Sequence, residues 1–507
     1  MLALLPVLVS LAVAPDAPRQ IYDRTLASRL VPLLSEALAF PTVAGNTKAQ
    51  ADQQAWLLRV GRELGFDVRD AGMVTEVELP GPPGAPVLGL VVHGDVQPVD
   101  DHWSFPPFAG GVKDGVVRGR GAADDKGPLV QALLAMKALQ ESQRPRTHTI
   151  RLLVGSDEES GSHDMAAYLA GHEPPTYSLV LDSAFPVIVG EKAWNAVTVD
   201  TRLDERRRGA IKVTALRGGL AASIVPDQAI IELSDATATR PDASAPGFTL
   251  SRDARARLPK GFTLDEHVDS HDAAGSTGAG RSITYTVHGK ASHAGVNPEG
   301  GRNALVALAT LVGDQLPEGG ARDLLAFAQL AGHDLAGTGL GLAHADPVFG
   351  LPTVVPTLIA ALPDGKARLT INIRSTPILS GAALKQHLAA RVAAFNAQTG
   401  AALEAGGFYG DEPLRFDPGS KLVKRLLAEY ARVAGKAEPP AISGGGTYAK
   451  RLPRAIAFGM WFPGKPYPGH DVDEQVSVQE LHDGAHVLIE ALADLACAPP
   501  LVKPFEP

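Results

Sequence analysis

The sequence VVHGDVQPVD, residues 91–100, begins inside an apolar run that extends from Val87 to Val92. Such a run predicts a strand that is buried on both faces of a largely parallel sheet. Side chains two positions apart on a strand point the same way, so His93 and Asp95 are predicted to emerge together where the strand leaves the sheet. Open α/β sheets place ligand sites at this edge. The histidine can hold a metal ion and the aspartate can orient it, which makes this edge a candidate site.

The length of 507 residues predicts two or more domains, each with its own core. The formal charge of −9, without any run rich in Lys or Arg, argues against a nucleic-acid partner and favours a small molecule or a peptide. Cys497 is the only cysteine, which excludes disulfides within the chain and cysteine-based zinc sites. Any metal ion must therefore be held by His, Asp and Glu.

The N-terminal segment is apolar from Leu2 to Ala14 and ends in small residues, as a signal peptide does. It predicts a signal peptide over residues 1–20 and a periplasmic or secreted protein. The alternative is an apolar first helix of a cytoplasmic protein, because no Lys or Arg precedes the segment and a proline follows both Ala14 and Ala17. No later apolar run approaches the roughly 20 residues that span a membrane, so no membrane association is expected once the signal is removed.

Strand and helix patterns divide the rest of the chain into three parts. Residues 21–193 and 411–507 share the alternation of buried strands and amphipathic helices that is typical of a doubly wound sheet. Residues 194–410 contain alternating strands, helices and a polar stretch between about 235 and 280, which predicts an α+β unit of the ferredoxin-like type. The sequence therefore predicts an α/β fold in which one domain is interrupted by a second, inserted domain.

Acidic residues and histidines fall at strand ends in the interrupted domain. The clusters are His93 with Asp95, Asp124 with Asp125, Glu158 with Glu159, Asp182, and His470. Zinc accepts imidazole nitrogens and carboxylate oxygens, and two-metal hydrolytic sites use a carboxylate that bridges ions about 3.5–4 Å apart. The clusters therefore predict a metal-dependent hydrolytic site. Asp125 is more simply interpreted as a carboxylate at a helix N-terminus, and Asp157 as a turn or cap residue.

Several motifs together resemble one known family. HGDVQ, GRGAADDKG, SDEESG, ASHAGVNPEGGRNA and PGHD are similar to the dizinc exopeptidase and deacylase family of dipeptidases, carnosinases, aminoacylases and succinyl-diaminopimelate desuccinylase. GRGAADDKGP, DEES, GEK and GGGTYAK most resemble the monomeric bacterial dipeptidases that cleave Xaa-His and other dipeptides. The resemblance implies a zinc-exopeptidase-like fold, with a doubly wound mixed sheet and an inserted lid domain.

The resemblance also implies two zinc ions, for which cobalt or manganese can substitute. Carried over residue by residue, it implies that His93 and Asp182 hold one ion and that Glu159 and His470 hold the other. Asp124 is implied as the ligand that bridges them. In relatives the peptide bond after the bridging aspartate is cis, so a cis bond is expected after Asp124.

The remaining roles concern catalysis. Glu158 is implied as the general base for a water that bridges the metals, and Asp95 as the residue that fixes the His93 ring. His293 in ASHAG matches the histidine that stabilises the tetrahedral oxyanion. Arg374 matches the arginine that grips the carboxylate of the substrate.

Two further segments are implied to touch the substrate. GGGTYAK, which includes Gly445 and Thr447, resembles a loop that lines the substrate site with backbone groups. Ser223, in ASIVP, stands where relatives commonly have asparagine, and its shorter side chain is a departure that bears on specificity.

The resulting prediction is a zinc-dependent dipeptidase that acts on free dipeptides. An N-acyl-amino-acid deacylase of the same family is the alternative, and a binding protein without activity is a third. The insertion of residues 194–410 is about twice as long as the lids of dimeric family members, which predicts a monomer in which His293 serves its own active site. The alternative is that the extra segments are surface elaborations and that the protein dimerises.

Overall fold

The structure is a computed structural model that describes residues 17–100, 102–203, 211–235, 248–271, 280–465, 467 and 469–507. The predicted signal peptide, residues 1–20, lies almost entirely outside the described residues, and it stays a prediction. Among the described residues, no helix has both the length and the apolar character that crossing a membrane requires.

Eleven α-helices and 22 β-strands make up the described chain. The helices are α1 Pro18–Ile21, α2 Ala27–Leu38, α3 Thr47–Glu63, α4 Lys126–Glu141, α5 His163–Gly171, α6 Arg252–Ala256, α7 Ala304–Val312, α8 Gly320–Ala331, α9 Gly381–Thr399, α10 Lys421–Ala434 and α11 Val478–Cys497. The strands up to the start of the second large sheet are β1 Asp67–Asp70, β2 Thr75–Leu79, β3 Val87–His93, β4 Gly111–Lys113, β5 Val116–Arg118, β6 Thr149–Gly155, β7 Tyr177–Val180, β8 Ser183–Ala184 and β9 Ile188–Glu191. The later strands are β10 Ala193–Arg202, β11 Ile211–Gly218, β12 Gln228–Asp235, β13 Thr263–His271, β14 Gly280–His288, β15 Thr353–Ala361, β16 Lys366–Ser375, β17 Glu404–Gly410, β18 Leu414–Arg415, β19 Ala441–Ser443, β20 Ala455–Ala457, β21 Met460–Trp461 and β22 Gln475–Ser477.

The first large sheet has six strands in the order β1-β2-β6-β3-β7-β20. Strands β6, β3, β7 and β20 are parallel, whereas β1 and β2 are antiparallel additions at one edge. Strand β3 lies in the middle and is covered on both faces. Leu90 and Val92 pack into the core that contains α4, and Val91 packs into the core that contains Tyr168 and Tyr448. The predicted burial of this strand on both faces is therefore confirmed.

Helix α4 links the candidate site to the core of the first sheet. It begins at Lys126, and Pro128 lies in its first turn, where a missing N–H does not interrupt the helix. The helix is apolar on nearly all sides because it is enclosed between the sheet and other helices, including α2 and α11. Its N-terminus is thereby fixed directly after Asp124.

The second large sheet has eight antiparallel strands in the order β13-β14-β12-β11-β15-β16-β10-β17. Helices α7, α8 and α9 contribute to a separate hydrophobic core on this sheet. The chain enters the sheet at β10 and leaves it at β17, its neighbour, and the backbone N–H of Asp411 donates to the carbonyl of Trp194 at 3.0 Å. We call residues 193–410 the second unit. The two large sheets, one mixed and one antiparallel, confirm the predicted α/β fold class.

Candidate active site

The carboxyl ends of three parallel strands bring most of the predicted site residues together. Strand β3 ends at His93, β6 is followed by Glu158 and Glu159, and β7 is followed by Asp182. Because neighbouring parallel strands end at the same edge, these side chains converge there. The structure thus brings His93, Glu158, Glu159 and Asp182 together at this edge.

Asp124 lies between two histidines. Its Oδ1 is 2.9 Å from Nε2 of His93, and its Oδ2 is 3.2 Å from Nε2 of His470. Each histidine also approaches a second carboxylate: Asp182 Oδ2 lies 3.8 Å from His93, and Glu159 Oε2 lies 3.1 Å from His470. The arrangement is two histidine–carboxylate pairs that share Asp124. The peptide bond after Asp124 is cis, as the resemblance implies.

The donor atoms of this cluster fit metal ions. Candidate ligand atoms of His93, Asp124 and Glu159 lie within 4.8 Å of one another, and so do those of His93, Glu158 and Asp182. Imidazole nitrogen and carboxylate oxygen form a donor set that zinc accepts. Both Glu158 and Glu159 lie within reach of such a group, so the distances alone do not separate a ligand from a base.

Asp95 acts differently from its predicted role. Nδ1 of His93 lies 3.0 Å from the backbone carbonyl of Asp95, whereas the Asp95 carboxylate is 3.6 Å away. That carboxylate instead accepts the backbone N–H groups of Glu158 at 3.1 Å and Glu159 at 3.0 Å. Asp95 therefore contacts His93 through its main chain and holds the Glu158–Glu159 peptide with its side chain.

Crowded acidic groups shift the titration of the cluster. Burial raises the pKa of Glu158 and of Asp182 well above the ordinary carboxylate range, and neighbouring carboxylates raise it further. Burial opposes protonation of His470, but the charge of Glu159 and hydrogen bonds to Asp124 and Glu159 raise its pKa to about 10. Burial is the main cause for the two carboxyl groups, whereas neighbouring carboxylates are the cause for His470. Positive charge is therefore stabilising at this place.

Glu474 is a site residue that the sequence interpretation missed. Its Oε1 accepts the backbone N–H groups of Ala123 at 2.8 Å and Asp124 at 3.2 Å. Its Oε2 accepts the backbone N–H of Gly121 at 3.1 Å and a guanidinium N–H of Arg120 at 2.9 Å. Glu474 thus fixes the segment that carries Asp124 against the segment that carries His470, four residues before it. A lone Glu after PGHDVD carries no local sign of this burial.

Tyr467 and Asp125 also contact the cluster. The Tyr467 hydroxyl donates to Asp124 Oδ2, and its ring packs against Trp461 at an angle of 33°, with centroids 4.3 Å apart. Asp125 was interpreted as a helix N-terminal carboxylate, but its side chain makes no capping hydrogen bond and accepts the backbone N–H of His93 at 3.1 Å. Asp125 does stand at the N-terminus of α4, as interpreted, but its carboxylate binds the backbone of β3 and does not cap the helix.

His293 reaches this cluster from the second unit of the same chain. Its ring stacks on that of His470 with centroids 4.3 Å apart. Its Nδ1 accepts the backbone N–H groups of Gly295 and Val296, each at 2.9 Å, so the proton of the neutral ring is on Nε2. Burial, together with the positive charges of His470 and Arg374, holds the pKa of His293 well below its usual value. His293 is therefore a neutral N–H donor beside the cluster.

Arg374 lies in the same wall, on β16. Its side chain is 3% exposed, and its Nε donates to Asn372 Oδ1 at 3.1 Å. Burial lowers the pKa of Arg374 to about 10, which leaves the guanidinium charged at neutral pH. Within the described part of the chain, no carboxylate lies within 4.0 Å of it. A buried cation that makes no direct ion pair is suited to bind an anionic group, even with the carboxylates of Asp411, Glu158 and Glu191 nearby.

One cavity of about 270 Å³ lies between the cluster and the second unit. Its lining includes Glu158, Glu159, Ser160, Trp194, Ala222, Ser223, His293, Arg374, Asp411, Gly446, Thr447, Arg451 and His470. Of the predicted substrate residues, Ser223, Arg374 and Thr447 are in this wall. Gly445 lies beside it, with its backbone N–H donating to Ser443 Oγ at 2.9 Å. The Thr447 hydroxyl donates to the buried carboxylate of Glu191 at 2.8 Å, which orders this loop.

A larger cavity of about 400 Å³ has a mainly apolar lining, including Val116, Pro128, Trp461 and Leu481. It contains none of the predicted site residues and no cluster of metal-binding side chains. Size alone therefore does not mark the candidate active site, whereas the convergence of charged groups does.

A histidine–carboxylate cluster thus lies beside the carboxyl edge of the mixed sheet, and a histidine and an arginine from the second unit face it. This donor set fits a metal-dependent hydrolase, the class to which metallopeptidases belong. The profile of Peptidase family M20/M25/M40 matches residues 89–494. The chain belongs to this family, which confirms the resemblance seen in the sequence.

Relatives and solved structures agree with this assignment. The protein named "Putative dipeptidase YtjP" of Bacillus subtilis is 27% identical over 444 residues, covering 87% of this chain and 89% of the relative. The β-Ala-Xaa dipeptidase of Lactobacillus delbrueckii is 25% identical over 453 residues, covering 88% and 90%. The structure of human carnosine dipeptidase 1 shares the fold, with a TM-score of 0.58 and 14% identity over 94% of this chain and 98% of that one.

Proposed function

We propose that this protein is a dizinc dipeptidase that hydrolyses the peptide bond of free dipeptides. The observation that carries the proposal is the buried, unpaired guanidinium of Arg374 in the same cavity wall as Glu158, Glu159 and His470. A fixed cation at one end of a cavity selects substrates that carry a free carboxylate close to the scissile bond. The names of the two relatives, both dipeptidases, support the same substrate class.

The ligand set follows the pairs seen in the structure. His93 and Asp182, which approach each other, would hold one ion, Glu159 and His470 would hold the other, and Asp124, which lies next to both histidines, would be shared between them. When bound, two zinc ions polarise the scissile carbonyl and lower the pKa of a water molecule toward neutrality. The sharing of Asp124 between two histidines is the feature that supports two ions.

Glu158 is the general base in this proposal. Its carboxylate lines the cavity, and Asp95 holds its backbone N–H. It takes a proton from the attacking water and transfers it to the leaving amine. Its place in the cavity wall, next to Glu159, puts this carboxylate within reach of a water molecule held at the metal cluster.

His293 and Arg374 bind the substrate in the transition state and the ground state, respectively. The Nε2–H of His293 donates to the oxygen of the scissile carbonyl as negative charge develops on it. Arg374 grips the terminal carboxylate. The cavity of about 270 Å³ is near the lower end of the range of small-molecule sites, roughly 300–1,000 Å³, which favours a dipeptide over a longer peptide.

We also propose that residues 194–410 form a lid inserted between residues 21–193 and 411–507, in a protein that acts as a monomer. The neighbouring entry and exit strands, β10 and β17, support this division. His293 already faces the cluster of its own chain, so no partner chain is needed to complete the site. Export through residues 1–20 remains part of the proposal.

The test compares two substrates that release the same amino acid. Zinc-loaded protein is expected to hydrolyse Ala-His much faster than N-acetylhistidine if it is a dipeptidase. Both substrates release histidine and carry the same carboxylate, so a difference in rate reports the acyl side alone. Preference for N-acetylhistidine would instead support the deacylase. Glu158→Ala serves as the inactive variant and Glu173→Ala, at an exposed position, as its matched control.

A further inference from the structure

Gln97 connects the two units at the candidate site. It follows His93 by four residues on the loop after β3, and it is 3% exposed. Its Nε2 donates to Glu159 Oε2 at 2.7 Å and to Ser223 Oγ at 3.2 Å. A carboxamide nitrogen carries two N–H donors. Both are used here, one on a candidate metal ligand and the other on the second unit.

This contact decides what the Ser223 hydroxyl can do. A hydroxyl has one proton to donate and two lone pairs that accept. Ser223 Oγ accepts from Gln97, whose Nε2 has no lone pair to offer in return. Within the described part of the chain, no other protein group lies within hydrogen-bond distance of Ser223 Oγ. Its proton is therefore available to an acceptor in the cavity, which Ser223 lines.

Ser223 is in turn tied to the other substrate residues of the second unit. Its backbone carbonyl accepts the N–H of Ala294, next to His293, at 2.8 Å. The carbonyl of Ala222 accepts from Asn372 Nδ2 at 2.9 Å, and Asn372 also accepts from Arg374. Hydrogen bonds thus join Ser223 to the segment that carries His293 and, through its neighbour Ala222 and Asn372, to β16, which carries Arg374.

We propose, on the basis of the function proposed above, that Gln97 is a positioning residue that couples Ser223 to Glu159. It turns the Ser223 hydroxyl so that its proton faces the carbonyl oxygen of the substrate, beside the Nε2–H of His293. It also holds Glu159 Oε2 in place next to His470. The position of Ser223 in the second unit and that of the candidate metal ligand Glu159 are therefore linked through one side chain.

The first measurement is a double-mutant cycle on kcat/KM for Ala-His. Gln97→Met removes both donors while keeping a similar shape, and Ser223→Ala removes the hydroxyl. We expect Gln97→Met to lower kcat/KM about 10- to 100-fold, the usual range for residues that orient metal ligands. We expect the double variant to be within about twofold of Gln97→Met, since contacting residues that act together are not additive. Losses that multiply would overturn the coupling.

The second measurement does not depend on turnover. Metal-free protein is titrated with zinc against a chromophoric chelator. We expect Gln97→Met to weaken the binding of one ion about 10- to 100-fold, whereas Ser223→Ala leaves both affinities unchanged. Unchanged zinc affinity in Gln97→Met would overturn the role on Glu159. If the wild-type protein binds zinc but does not hydrolyse Ala-His, the proposed function fails, and this titration still decides the role of Gln97 on Glu159.

A matched control separates positioning from general packing. Gln131, on α4, is 1% exposed and donates to the carbonyl of Leu481 at 2.6 Å, outside the cavity. Gln131→Met is expected to lower thermal stability without changing zinc affinity or kcat. If circular dichroism shows that Gln97→Met does not fold, Gln97→Asn carries the same comparisons, because it keeps the amide but shortens its reach.

Discussion

Glu474 and Arg120 form a buried ion pair in which Oε2 lies 2.9 Å from Nη1, with side chains that are 0% and 3% exposed, respectively. The same carboxylate accepts three backbone N–H groups around Asp124. The pair therefore supports the turn that places Asp124 between His93 and His470. The geometry of the candidate metal cluster depends on a contact between segments that are 354 residues apart.

Glu474→Gln is expected to destabilise the protein and to weaken metal binding. The change leaves the Arg120 charge buried without its partner, a loss of about 3–5 kcal/mol in comparable buried pairs. The urea midpoint and the zinc affinity of the variant measure the two effects. Asp52→Asn, which removes an exposed pair with Lys48, is the control and should change neither. A Glu474→Gln protein with wild-type values would show that the pair does not support the turn.

Glu158→Ala is expected to retain both zinc ions and to lose about 10²–10⁴ in kcat, because general bases contribute in that range. Metal content by mass spectrometry and kcat for Ala-His are measured on the same preparation. Loss of an ion from Glu158→Ala, with Glu159→Ala retaining both, would mean that the two glutamates exchange roles.

Asp124→Ala is expected to release both metal ions, because Asp124 lies next to both histidines. Removing the metal from the wild-type protein with a chelator should abolish activity, and adding zinc should restore it. Two zinc ions per chain are expected in the restored protein. Normal turnover by metal-free protein would contradict the proposed chemistry.

Glu191 is expected to make stability depend on pH. Burial raises the pKa of Glu191 to about 7, against the opposing effects of Lys450 and of hydrogen bonds from Thr447. The folded state therefore holds this proton more tightly than the unfolded chain, which adds to the free energy of unfolding while the proton is bound. This added stability is fully present below about pH 4.5 and is lost as the pH rises through about 7.

Glu191→Gln removes this titration while keeping a side chain of similar size. The free energy of unfolding of the wild type, relative to that of the variant, should fall between pH 5 and pH 8 by a few kcal/mol, at 1.36 kcal/mol per pKa unit. Urea unfolding at both pH values measures it. A constant difference between the two proteins would show that Glu191 does not titrate in this interval.

Mixing two inactive variants tests the monomer. His293→Ala and Glu158→Ala each lack one group that the proposed mechanism needs. If His293 serves its own chain, the mixture should stay inactive at every ratio, and light scattering should report the mass of one chain. Recovery of activity in the mixture would mean that subunits exchange and share His293.

Local sequence patterns were enough to predict the strands of the first sheet and the residues at their ends. An apolar run shows directly that β3 is buried on both faces, and the residues that follow it must lie at the carboxyl edge. The edge strand β13 was not predicted, because its side chains are largely exposed and polar and give no apolar signal. It lies in the stretch between about 235 and 280 that was predicted only as polar; residues 236–247 and 272–279 of that stretch are outside the described residues.

The sequence by itself determined which side chains could bind metal, because residue type and position at a strand end are local properties. Only the tertiary structure decided the contacts of Gln97, Tyr467 and Glu474, and the turning of the Asp95 carboxylate toward the Glu158–Glu159 peptide. The path of the whole chain brings the two groups of each contact within hydrogen-bond distance. Tyr467 and Asp124, for example, are 343 residues apart in the sequence. Hydrogen bonds act over such short distances that no pattern along the sequence records them.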